Sequence, residues 1–110
     1  MNTSISDAIA PIIEKPIDLL VPTITLYEVY KKLLFEKGYD YAMNIILYMQ
    51  SGCVISLDSD LSIFAAEISG KYKLPMADSI IFATSRQYSA TLWTTDKHFK
   101  DLPDVRYFPI

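Results

Sequence analysis

Four short apolar runs limit most strongly what this chain can fold into: DLLVP (18–22), CVISL (53–57), TLWTT (91–95) and VRYFP (105–109). Short apolar runs of this kind, bounded by turn residues, read as strands buried on both faces. Most of the intervals between them carry helical periodicity. TITLYEVYKKLLFEKG places Leu26, Val29, Tyr30, Leu33 and Leu34 at helical spacing and stops at Gly38. A second helix is expected to open at Asp40 as its cap, to carry Ala42, Ile45, Ile46 and Met49 on one stripe, and to close at Gly52. SDLSIFAAEISGKYK reads as a third, capped near Ser59, with Leu61, Phe64, Ala65, Ile68 and Tyr72 inside; MADSIIFATSRQY reads as a fourth, with Pro75 near its start. Before the first strand, residues 6–14 are expected to form a short helix capped by Ser6, disturbed by Pro11 and ended by Pro16. Short strands separated by helices argue for an α/β protein whose parallel sheet is covered on both faces.

Composition narrows the class further. At 110 residues, 51% of them hydrophobic and only three of them glycine, the chain is expected to form one globular domain spanning 1–110. Ten basic against thirteen acidic residues, a net charge of −3, lack the footprint of a non-specific nucleic-acid binder. An enzyme that reaches phosphates through metal ions is still compatible with that charge. The lone Cys53 has no partner for an intramolecular disulfide, which points to a reducing compartment, the cytoplasm, and to a structural thiol inside an apolar strand. MNTSISDAIAPIIEK has no basic segment ahead of an apolar one, so no signal peptide is expected, and the apolar runs are too short to span a bilayer.

The acidic residues fall where this architecture binds ligands. Open parallel sheets bind outside the carboxyl ends of their strands, where the following helices begin. Glu28 is expected in the first turn of the helix after strand 18–22, Asp96 just past strand 91–95, and Asp78 in the first turn of the helix that feeds that strand. All three therefore belong to one rim. Each alone has an ordinary structural account: Thr25 to Glu28 has the form of a capping box, Asp78 suits a helix dipole, and Asp96 can cap the turn at 97–99. Together, three neighbouring carboxylates repel unless a cation neutralises them. Mg²⁺ or Mn²⁺ prefers oxygen ligands, keeps several waters and suits open sites beside phosphates, which suggests phosphodiester hydrolysis.

LLVPTITLYEVYKKLL, LPMADSIIFATS and ATLWTTDKHFKDLPDVRYFP resemble segments of PIN domains, in particular the toxin ribonucleases of VapBC toxin-antitoxin pairs. The resemblance runs from about Ile5 to the C-terminus. It implies an α/β/α sandwich, an acidic cluster that binds Mg²⁺ or Mn²⁺, cleavage of RNA, a VapB-like antitoxin partner and a homodimer. It also implies that Glu28, Asp78 and Asp96 are three of four catalytic, metal-holding acids, with Thr94 or Thr95 beside the site positioning a water or a metal-bound group.

The family pattern opens with a strand ending in an aspartate, and that strand is not recognisable here. MNTSI has Asn2 in the acid's place but lies too close to Glu28 for the usual intervening helix. The chain is therefore expected to be truncated at its N-terminus and to lack the central strand. Such a loss leaves a gap of about 10 Å between strands 18–22 and 91–95. The two lips are then expected to pair directly, to be bridged by a partner chain, or to leave a weakly stable fold, and the missing first acid is expected to weaken metal binding and lower activity.

Arg86, Lys97 and Lys100 are the basic residues best placed for RNA phosphates, whereas Lys31 and Lys32 are expected to face solvent. His98, the only histidine, reads as a surface or turn residue, because no second histidine or cysteine accompanies it. Asp58 and Asp60 read as helix-start acids. Most of the eight tyrosines read as core-facing. Two other classes compete with the nuclease: a catalytically incomplete PIN module that acts by binding, and a phosphoacceptor receiver domain. The receiver needs paired acids after an early strand and a lysine after a late one, and neither is present.

Overall fold

The structure, a computed structural model, describes residues 12–14, 19–94 and 96–107. Its element order is β1 (Ile12–Glu14), β2 (Leu19–Pro22), α1 (Thr23–Lys37), α2 (Tyr39–Gln50), β3 (Cys53–Ile55), α3 (Ser59–Tyr72), α4 (Met76–Gln87), β4 (Thr91–Thr94), a 3-10 turn (Lys97–Phe99) and β5 (Val105–Tyr107). The strands form one sheet in the order β3-β2-β1-β4-β5. β2 pairs with β3 in parallel, and so does β4 with β5. Adjacent residues of a strand point to opposite faces, and Leu20 and Val21 are each only 4% exposed. Both faces of β2 are therefore covered, as an α/β/α arrangement requires.

The centre of the sheet corrects the expectation. The expected helix over 6–14 gives way, in its described part, to strand Ile12–Glu14; residues 6–11 lie outside the described residues. No gap separates β2 from β4, and neither direct pairing nor a partner chain is involved, because β1 fills the space from within the chain. It runs antiparallel to both neighbours, with Ile13 opposite Leu20 on one side and Leu92 on the other. The reason is connection length. A parallel neighbour of β2 needs a crossover of a dozen or more residues, whereas an antiparallel one needs a short turn, and only residues 15–18 separate β1 from β2. Ile13 is fully buried. Because β1 reverses against both neighbours, the four outer strands all point the same way, and their carboxyl ends share one edge.

Two glycines shape the connections. Gly38 both ends α1 and begins α2, at φ +89°, with no atom near the position a Cβ would take. Backbone angle alone demands glycine there. A Cβ at Gly52 would lie 3.1 Å from the Leu19 carbonyl oxygen and 3.4 Å from Val21 Cγ2, so the turn from α2 into β3 approaches β2 closely. Several helix starts differ from expectation by one or a few residues. Gly38, not Asp40, precedes α2, leaving Asp40 inside its first turn. Asp58, not Ser59, caps α3, its Oδ1 accepting the Leu61 N–H at 2.8 Å. α1 starts at Thr23 behind Pro22, which puts Glu28 in its second turn and rules out the capping box at Thr25. The Thr25 hydroxyl is buried and has no hydrogen-bond partner among the described residues.

The main core joins the sheet to α3 and α4. It contains Ile13, Leu20, Leu61, Ala65, Phe82 and Leu92, with Tyr72 edge-on to Phe82 at 5.5 Å between ring centroids. A second, smaller cluster of Val29, Leu33, Ala42 and Ile46 holds α1 against α2. Two burial expectations fail. Cys53 is exposed, since β3 is an edge strand. None of the eight tyrosines is fully buried, and Tyr27, Tyr39, Tyr41 and Tyr48 are exposed on the α1–α2 hairpin. Their hydroxyls keep water as a partner that the thin hairpin core does not offer. Among the described residues no helix is long and apolar enough to cross a membrane.

Candidate metal centre

Asp78 stands in the first turn of α4, immediately before seven consecutive buried residues from Ser79 to Ser85. A helix buried all round must satisfy its own polar side chains, and it does so by bonding back along itself. Ser79 Oγ donates to the Met76 carbonyl, Thr84 Oγ1 to Ile80 and Ser85 Oγ to Phe82, all at 2.7–2.8 Å. Asp78 is thus carried by the most enclosed element of the fold, and its own side chain is 16% exposed.

Asp96 is fixed from both sides. The buried Thr94 at the end of β4 accepts the Asp96 N–H on Oγ1 at 2.9 Å. Asp96 Oδ1 in turn accepts the His98 N–H at 2.9 Å and starts the 3-10 turn, whose last residue, Phe99, is fully buried in the main core. Thr94 therefore holds the backbone of Asp96 beside the site; Thr95 lies outside the described residues.

Between these anchors, the His98 ring reaches over both acids. Its Nδ1 lies 3.1 Å from Asp78 Oδ2 and 3.2 Å from Asp96 Oδ1. Asp78, Asp96 and His98 each offer a ligand atom, all within 4.8 Å of one another. Glu28 is outside that tight group but close to it, for the charges of Asp78 and Asp96 both raise its carboxyl above the ordinary value, after the larger effect of lost hydration. Asp78 is raised as well, first by burial and then by Asp96, with His98 pulling the other way. Glu28 and Asp78 are both pushed toward protonation, first by burial and then by neighbouring carboxylates, as expected where acids crowd together with too little positive charge to offset them.

The structure therefore brings Glu28, Asp78 and Asp96 to the shared edge of the sheet. It adds His98, which the sequence reading set aside as a surface residue. His98 is indeed 58% exposed; the available signal was its place in a turn pinned by Asp96 before it and an apolar Phe99 after it. Lys97 is exposed beside the site, and Lys100 lies with its Nζ 5.9 Å from the Tyr107 ring centroid. Arg86 is not at the site. It occupies the last turn of α4, eight residues or about 12 Å of helix from Asp78, and pairs with Asp104 at 2.7 Å.

The sequence profile of the PIN domain matches residues 3–105, and the chain belongs to that family. Among solved structures it is similar to a toxin-antitoxin complex from Klebsiella pneumoniae, with a TM-score of 0.72 at 22% identity over 83% of this chain and 75% of that one. At that identity the likeness speaks for the fold. No curated protein matches. PIN domains generally use a divalent metal, and the donor set here fits one: carboxylate oxygens from two elements and an imidazole nitrogen, held close and open to water on one side.

Proposed function

We propose that this chain is a metal-dependent endoribonuclease of the VapC toxin type, folded as one domain, in which Glu28, Asp78 and Asp96 hold Mg²⁺ or Mn²⁺ and RNA is the substrate. The observation that carries the reading is the convergence of Asp78, Asp96 and His98, whose ligand atoms lie within 4.8 Å of one another, with Glu28 close by, in a chain that belongs to the PIN family. A bound dication would supply an activated water and stabilise charge on the phosphorus and leaving oxygens. The chain's own residues do the positioning. Thr94 and Phe99 fix the turn that presents Asp96, the enclosed α4 presents Asp78, and Lys97 and Lys100 on the exposed rim meet flanking phosphates.

A VapB-like antitoxin as partner accords with the toxin-antitoxin complex among its structural neighbours. A homodimer follows from the family resemblance, and a reducing, cytoplasmic setting from the single free thiol. A second reading, a PIN module that only binds its antitoxin, is favoured by one observation: the tight ligand group contains two carboxylates, with Glu28 outside it.

Cleavage of labelled structured RNA in Mn²⁺ separates the two. Asp78→Asn and Asp96→Asn should each lower the rate by about 100-fold or more, since a metal site contributes several kcal/mol to such a transition state. Folded wild-type protein that binds an antitoxin peptide and leaves every RNA intact would establish the binding module instead.

A further inference from the structure

We propose that His98 is itself a metal ligand, its Nδ1 completing an O,O,N set with Asp78 and Asp96, and that this nitrogen makes the site select Mn²⁺ over Mg²⁺. The inference rests on the metal-site reading above and goes further by naming the third donor and the ion it favours. The exposed imidazole is drawn over both acids by hydrogen bonding to Asp78 and by the charge of Asp96, so that Nδ1 lies at nearly equal distance from oxygens of two residues eighteen positions apart. On an octahedral ion with bonds of about 2.1 Å, neighbouring ligand atoms are about 3.0 Å apart. The separations of 3.1 and 3.2 Å are hydrogen-bond distances that also fit that spacing, so an ion that takes the place of the Nδ1 proton would meet its nitrogen and oxygen donors with little rearrangement.

The backbone supports the placement independently. The His98 N–H is tied to the same Asp96 Oδ1, and the adjacent Phe99 is buried, so the ring is held over the acids from its base. As a ligand, Nδ1 gives its lone pair while Nε2 carries the proton. Donor chemistry then decides between ions. Mg²⁺ favours oxygen and surrenders water reluctantly, whereas first-row transition ions accept imidazole readily. Glu28, outside the tight group, remains available as a further oxygen donor to the same ion.

The test uses the whole chain with Mn²⁺ and Mg²⁺ alone, without RNA. Pulsed EPR of the Mn²⁺-loaded protein should show coupling to a ¹⁴N nucleus, absent in His98→Ala and His98→Asp, with melting temperatures confirming that both variants fold. Titration calorimetry should show Mn²⁺ bound more tightly than Mg²⁺, His98→Ala losing about 10–100-fold in Mn²⁺ affinity and far less in Mg²⁺ affinity. His98→Asp, which restores an oxygen, should erase most of the preference. Mn²⁺ bound without a nitrogen signal, or equal losses for both ions in His98→Ala, overturns the proposal. RNA cleavage by such a protein would leave the nuclease reading standing, while nitrogen coupling in a protein that cuts no RNA would do the reverse. Failure to bind either ion overturns both.

Discussion

The two helical layers of this protein are built to different standards, and the site draws on both. α4 is enclosed along most of its length, its serines and threonine satisfied by its own carbonyls. The α1–α2 hairpin buries a single stripe, Val29, Leu33, Ala42 and Ile46, and leaves Phe35 85% and Tyr48 74% exposed. Asp78 sits one residue before the enclosed stretch of α4; Glu28 sits one residue before Val29 on the thin stripe. The contrast explains the shape of the site. Acids backed by the main core, Asp78 directly and Asp96 through Phe99, converge with His98, whereas the acid backed by the hairpin stays at the margin.

The largest expected effect tests that contrast. Phe82→Ala removes a fully buried ring of α4 that packs edge-on against Tyr72 of α3 and should cost about 3–5 kcal/mol. Leu33→Ala, in the hairpin, should cost about 2–3 kcal/mol, near the lower end for buried leucine, because its surroundings can collapse into the space. Urea unfolding measures both. Hydrogen exchange sharpens the result: Leu33→Ala should release amides of α1 and α2 while those of α4 stay protected. Equal costs and equal exchange would show that the layers form one cooperative unit.

Much of this difference was visible in the sequence. α4 reads as nearly continuous apolar residues from Ile80 to Ala83, and the periodicity of α1 and α2, with Gly38 between them, gave both helices. The shared edge of the acids was also legible, because strand direction and helix order alone place Glu28, Asp78 and Asp96 there. Three things were not. β1 was hidden because a three-residue strand is set by pairing on both sides, which no local pattern encodes. The position of Glu28 shifted because Pro22, not Thr25, precedes the helix. His98 was missed because its significance lies in the ring's approach to an acid twenty residues away in sequence, at Asp78, rather than in any spacing of like ligands.

The next effect is electrostatic and depends on pH. Both carboxyls are raised above their ordinary values of 3.8 for Asp78 and 4.5 for Glu28, so the folded state holds their protons more tightly than the unfolded chain does. That contribution stabilises the fold below the unfolded values and is lost as pH rises through the higher folded ones. In chelator at pH 7, Asp78→Asn should therefore melt above wild type, and the difference should shrink as pH falls toward 4. Glu28→Gln should move the same way by less, its side chain being better hydrated. Adding Mn²⁺ should raise the melting point of wild type and leave Asp78→Asn nearly unmoved. A larger response at Glu28 than at Asp78 would invert the ranking of the two layers.

The smallest effect is expected at the far end of α4, where enclosure gives way to solvent. Arg86 and Asp104 form an exposed pair, 36% and 67% accessible. Such pairs contribute about 0–1 kcal/mol, because water screens the attraction and ordering two long side chains costs entropy. Arg86→Ala also removes a guanidinium lying 5.9 Å from the Phe82 ring centroid, an exposed cation over an aromatic face worth about 0.5–1 kcal/mol. A double-mutant cycle with Asp104→Ala isolates the ion pair, which should weaken further as salt is raised. RNA cleavage should be unchanged in Arg86→Ala and lowered in Lys97→Ala, since the pair lies a helix length from the acids while Lys97 adjoins them. A coupling of several kcal/mol between Arg86 and Asp104 would mean that α4 is fastened at both ends, and that the rigidity of Asp78 owes as much to this anchor as to the buried stretch between.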